Sequence, residues 1–120
     1  MIPFTSFRVT GLGNRNVSTH DTSGWEPMLI AIQTWDLHLP NCHSLKEKRG
    51  VLKPLTTGLR RSLNVSVAET GHQDLWQRAE IACAVVGSAR PVVEEILRAA
   101  DRAVEETDGV RIVDTVTQFR

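Results

Sequence analysis

The sequence predicts an α+β fold in the order βαββαβ, a four-stranded antiparallel sheet with two helices on one face. Three observations lead there. Two-residue alternation of apolar and polar side chains begins abruptly at Met28 and returns in later segments. Two stretches between them carry apolar residues at helical spacing behind helix-start signals. The two middle strand segments lie close enough together to be joined by a hairpin.

The first strand is "MLIAIQTWDLHL", residues 28–39. Leu29, Ala31, Trp35, Leu37 and Leu39 fall on one face, with Thr34, Asp36 and His38 on the other. Gln33 is a polar exception in the buried row, and Trp35 is expected in the core. Pro40 and Asn41 turn the chain. Ser44 opens a helix, because "SLKE" is a capping box in which the serine hydroxyl takes an orphan amide and Glu47 reaches back. His43 packs beside that cap. Leu45, Leu52, Leu55, Leu59 and Leu63 form the apolar stripe. Pro54 inside it predicts a kink, with Gly50 four residues earlier easing the crowding of the ring.

"NVSVAET" and "AEIACAVVG" are the next two strands. Val65 and Val67 must share a face with Ile81, Cys83 and Val85, so Val67 can stand opposite Ile81 but not Glu80. The hairpin loop then holds about five to seven residues centred on Asp74. Pro91 starts a second helix, with Glu94 and Glu95 in its early turns, where the helix dipole favours anions. Its stripe is Val93, Ile96, Leu97, Ala100 and Val104, and Gly109 is read as its left-handed stop. "VRIVDTVTQF" is the last strand. Helices covering one face of such a sheet make the split βαβ, or ferredoxin-like, arrangement.

A chain of 120 residues, with 41% hydrophobic and 23% charged residues, holds one domain with a single core. Basic and acidic residues are equal at 14 each, so net charge points to no partner. Cys42 and Cys83 lack CxxC spacing and Cys83 lies in an apolar run, which suits reduced thiols in a cytoplasmic protein. Around "HLPNCH", His38, Cys42 and His43 fall short of the four ligands of a structural zinc site, so neither metal nor cofactor is expected. No apolar run approaches the ~20 residues that cross a bilayer. Residues 1–27, which include His20, have no period and no apolar signal core. They read as a disordered or loosely attached extension, consistent with an over-extended start, ahead of a domain over 28–120.

"HSLKEKRGVLKPL" at 43–55 and "NVSVAETGHQDLWQRAEIACAVV" at 64–86 resemble the YlxP-like family of small bacterial proteins, described as a domain of unknown function. The resemblance covers residues 28–119. It implies a ferredoxin-like fold, and a ribosome-related role through gene neighbours that encode translation initiation factor two and ribosome-binding factor A. It brings no catalytic residues, and no enzymatic activity is expected.

Two features carry the functional expectations. On the first helix Lys46, Lys48, Arg49, Lys53, Arg60 and Arg61 face one acid, Glu47. At 100° per residue Lys46, Arg49, Lys53 and Arg60 fall within about 60° of one another, opposite Leu55 and Leu59, as a positive ridge about 20 Å long. The second helix is acidic, so zero net charge hides a dipolar molecule. Such a ridge suits RNA phosphates, and ribosomal RNA or a ribosomal particle is the expected partner. The alternative is a homodimer paired through a sheet face or edge strand, with a merely solvated ridge. Stacking of bases on the sheet is disfavoured, because "AEIACAVV" contains no aromatic residue and the exposed face of the hairpin shows Ser66, Ala68, Glu80, Ala82 and Ala84.

The second feature is the loop holding His72, Gln73, Asp74, Trp76 and Arg78. As a structural plug, Asp74 and Gln77 form a capping box for one helical turn, Trp76 folds back as an apolar lid, and Arg78 balances Glu80 or Glu69. As a site, His72, Asp74 and Arg78, joined by His38 or Asp36, make a polar pocket. The plug reading explains more of the residues.

Overall fold

The computed structural model describes residues 28–120, so the reading of residues 1–27 as an extension lies outside the described residues. Alternation builds β1 (Leu29–His38), and the capped leucine stripe builds α1 (Leu45–Ser62). β2 (Ser66–Gly71) and β3 (Arg78–Gly87) form the hairpin, followed by α2 (Arg90–Glu105) and β4 (Arg111–Phe119). All neighbouring strands are antiparallel, in the order β2-β3-β1-β4. β1 is therefore central, and β2 and β4 are the edges.

Alternate residues of β1, Ala31, Trp35 and Leu37, are fully buried with Leu52, Leu55 and Leu59 of α1 and with Val93, Leu97, Ala100 and Val104 of α2. Both helices thus cover the same face. The buried Gln33 is satisfied across the sheet, where its Oε1 accepts from Thr117 Oγ1 at 2.7 Å. Trp35 donates its indole N–H to Asp101 of α2 at 2.9 Å, so one side chain ties the central strand to the helix layer. The parity of the hairpin is as expected, with Val67 opposite Cys83. Its loop runs from 72 to 77, six residues, with a register shift between Glu69 and Gly71.

Ser44 caps α1 by accepting from the Glu47 amide at 3.1 Å, while Glu47 accepts from the His43 amide, one residue before the cap. α1 continues unbroken through Pro54. Pro54 and Gly50 are both exposed, so water can take the hydrogen bond that the ring removes. Glu94 and Glu95 lie in the second turn of α2, and Glu94 pairs with Arg90 at 3.1 Å. One expectation for this helix needs correction. Gly109 takes a left-handed φ of 84° in the turn before β4, and does not end the helix. That end lies at Glu106, whose amide donates to Arg102 O at 2.9 Å, with the Thr107 hydroxyl donating to Ala103 O.

β4 is the least covered element. Ile112 and Phe119 are partly buried, and Arg111 and the six residues from Val113 to Gln118 are exposed. Among the described residues no helix is long and apolar enough to cross a membrane.

A candidate nucleic-acid interface

α1 buries Lys48, Leu52, Leu55 and Leu59 and turns Lys46, Arg49, Lys53 and Arg60 outward. Among the described residues, Lys46, Arg49 and Lys53 have no carboxylate within ion-pair distance. Arg60 departs from the expected ridge. Its Nη2 donates to the carbonyl of Val67 at 3.1 Å, since among the described residues β2 is an edge strand with no strand pairing its outer side. The guanidinium is drawn sideways over that edge. Three of the four ridge residues, without Lys46, therefore become one wall of a groove between α1 and β2, a cavity of about 460 Å³. Arg49, Lys53 and Arg60 line it with the hydroxyl-bearing Thr56 and Thr57, over an apolar floor that includes Leu52.

Glu69 also borders the groove, and Lys48 answers it. Lys48 is only 2% exposed. Its ammonium donates to the carbonyls of His72 and Leu75, both at 2.8 Å, and lies 2.9 Å from Glu69 Oε2. No aligned hydrogen bond reaches that carboxylate oxygen, so the charge contact with Lys48 is what holds it. Sequence reasoning listed Lys48 with the cations of the helix, outside the ridge, and gave it no buried role, yet the signal was there. At 100° per residue, positions 48, 52, 55 and 59 lie within about 60° of one another, placing Lys48 in the leucine stripe.

The clamp of Lys48 organises the loop, and here the plug reading is corrected. No helical turn forms. The Leu75 amide donates to His72 O at 3.0 Å, closing a β-turn, with His72 at a left-handed φ of 57°. Asp74 caps nothing. The Gln77 amide side chain donates to Cys42 O at 3.1 Å and Pro40 O at 3.3 Å, tying the loop to the β1–α1 connection. The Leu39 amide donates to Gln77 O at 2.9 Å, and Gln73 Nε2 donates to Glu69 O at 3.1 Å. Trp76 is no lid, because it is 51% exposed beside a Leu75 exposed by 49%. Arg78 does not balance Glu80 or Glu69. Its Nη2 bonds both oxygens of Asp36 at 2.6 and 2.8 Å, and His72 Nε2 stands 3.5 Å from the same carboxylate. The structure therefore brings together His72, Asp36 and Arg78 and leaves Asp74 and His38 outside that cluster.

The uncovered sheet face is divided. Toward the loop, Glu80, Asp36 and Asp114 stand in one row across three strands, and Arg78, His38 and Arg111 in the next. Farther along come Thr34, Ala82 and Val116, then Ile32, Ala84 and Gln118. No aromatic residue occupies this face among the described residues. Burial pushes the Cys83 thiol up to about 11, against the pull of a hydrogen bond with the Gln33 backbone. Cys42 is raised too, chiefly by burial and then by the nearby Glu47 charge. Neither thiol forms a ready thiolate near neutral pH. Among the described residues no three His, Cys, Asp or Glu side chains are placed to hold a metal ion.

Fold and surface together define a ferredoxin-like α+β domain with a cation-lined groove between its first helix and one sheet edge. The chain belongs to the family described as "Protein of unknown function (DUF503)", whose model matches residues 30–117. It is 47% identical over 55 residues to the uncharacterized protein YlxP of Bacillus subtilis (strain 168). That match covers 46% of this chain and 60% of the relative's length. Among solved structures it is similar to the de novo designed protein Foldit4, with a TM-score of 0.45 and 12% identity over 77% of this chain and 93% of that one. It is also similar to a C-terminal segment of the alpha subunit of aIF2 from Pyrococcus abyssi, with a TM-score of 0.40 and 14% identity over 82% and 53% of the two chains.

Proposed function

We propose that this protein is a non-enzymatic accessory factor that holds the sugar–phosphate backbone of RNA in the groove between α1 and β2, as part of a ribosomal particle or a translation intermediate. The observation that carries this reading is the lining of the groove. Arg49, Lys53 and Arg60 converge with the Thr57 hydroxyl, while Thr56 donates to Lys53 O, and the one acid at its border is already matched by Lys48. Cations that displace condensed counterions supply affinity without a sequence requirement, and hydroxyls add hydrogen bonds to phosphate oxygens. The gene neighbours implied by the family resemblance favour RNA over other polyanions.

Replacing Lys46, Arg49 and Lys53 together with glutamine leaves the buried face of α1 untouched. The variant should lose co-sedimentation with ribosomal subunits, and wild-type co-sedimentation would exclude the groove. If three phosphates are engaged on a single strand, log affinity falls against log salt with a slope of about −2. Arg60 is best varied separately, since it also covers the β2 edge.

A second reading rests on β4. It is a nine-residue strand with no pairing partner on its outer side among the described residues, and with Val113 and Val116 exposed by 56% and 46%. Antiparallel addition of the same strand from a second copy would make a homodimer. Sedimentation velocity of the purified protein without RNA distinguishes the two readings.

A further inference from the structure

Trp76 is held out in water by a scaffold built for rigidity, and that arrangement calls for an explanation. The loop is fastened at His72 and Leu75 by Lys48, at Gln77 by the β1–α1 connection, and at Gln73 by the Glu69 carbonyl. His72 accepts a left-handed backbone that a residue bearing a Cβ adopts at some cost. A solvated turn needs none of this. The outcome is an indole half exposed at a fixed position, paying little further ordering entropy when something packs on it.

The surroundings say what would pack there. Gln73 lines the basic groove with Arg49 and Lys53, and Trp76 is three residues farther on, within about 10 Å of chain. On its other side Trp76 shares a recess with Asp74 and Arg78. The Asp74 carboxylate repels a phosphate from that recess but can accept from the N–H edge of a base. Only Nη2 of the Arg78 guanidinium is engaged, by Asp36, so the exclusion of phosphate from the recess rests on Asp74. Phosphate therefore belongs in the groove and a base on the indole.

We infer that Trp76 is a stacking platform for an unpaired base of single-stranded RNA whose backbone lies along Arg49 and Lys53, an inference that rests on the groove reading above. Bases in a duplex are unavailable for such a contact, so the site selects single strands.

The test compares the full-length protein with Trp76→Ala, Trp76→Phe and the triple glutamine variant. Binding is read by anisotropy of a labelled oligouridylate, with heparin as a polyanion that has no bases. Trp76→Ala should bind oligouridylate about 10–100-fold more weakly and heparin as wild type does, while Trp76→Phe recovers most of the loss. Wild-type affinity of Trp76→Ala for oligouridylate overturns the inference while leaving the groove intact. An equal loss for both ligands overturns it too, since stacking acts on bases only. If Trp76→Ala leaves RNA binding alone and changes only the sedimentation of the protein, the indole is a contact between protein copies and the inference fails. Should the triple variant bind both ligands as wild type does, the groove reading itself falls.

Discussion

Lys48 shows how one side chain can decide a region. Its ammonium is taken out of water and met by two carbonyls and a carboxylate, an arrangement that is stable only while every partner is present. Lys48→Met keeps the aliphatic stem but leaves Leu75 O and the Glu69 carboxylate oxygen without their partner, while His72 O keeps the Leu75 amide. We expect a loss of about 2–4 kcal/mol in urea unfolding, moderated because Glu69 is partly exposed and can recruit water. Hydrogen exchange should speed up at the Leu75 amide, whose turn loses its clamp, and remain slow in β1. The place of Lys48 beneath the loop was legible by angle, since it shares the leucine stripe. Its partners were not, because the approach of a helix to a hairpin tip 24 and 27 residues away is a tertiary fact. For the same reason Trp76 reads as a lid in one dimension and is a half-exposed platform in three.

Strand alternation, the capping box at Ser44 and the parity of Val67 with Cys83 are all local signals, and each element they define is present. The ends of elements obey other interactions. α2 stops where Arg102 and Ala103 find partners for their carbonyls, ahead of the glycine that looked like its stop. Where β3 passes into α2 the fit is close. A Cβ at Gly87 would stand 2.5 Å from Cγ2 of the fully buried Val93. Gly87→Ala should therefore cost about 1–3 kcal/mol, since Val93 has no empty space to retreat into. Gly58→Ala is the matched control, because an added methyl there meets nothing within 4 Å and removes glycine's entropy from a helix interior. It should unfold no more easily than wild type, and reversal of this order in thermal melts would contradict the packing described between β3 and α2.

At the scale of the molecule, charge and coverage are both uneven. Exposed cations line the α1 side, α2 mixes Glu94, Glu95 and Asp101 with Arg90, Arg98 and Arg102, and β4 is left beyond the reach of the helix layer. The outward run of α1 cations was legible from the spacing of Lys46, Arg49 and Lys53. The bareness of β4 was not, because it depends on how far two helices extend across a sheet. If β4 joins two copies, Val116→Lys should shift the sedimenting species from dimer to monomer without weakening RNA retention; an unchanged coefficient from a dimeric wild type would place the contact elsewhere. The two rims of the sheet are not equivalent. β2 is short, carries a register break and has Arg60 lying across one of its carbonyls, whereas β4 is long and bare. A ribbon that can grow from one side only stops after a single addition, so this architecture permits a closed pair of eight strands and blocks the endless stacking from which fibrils arise.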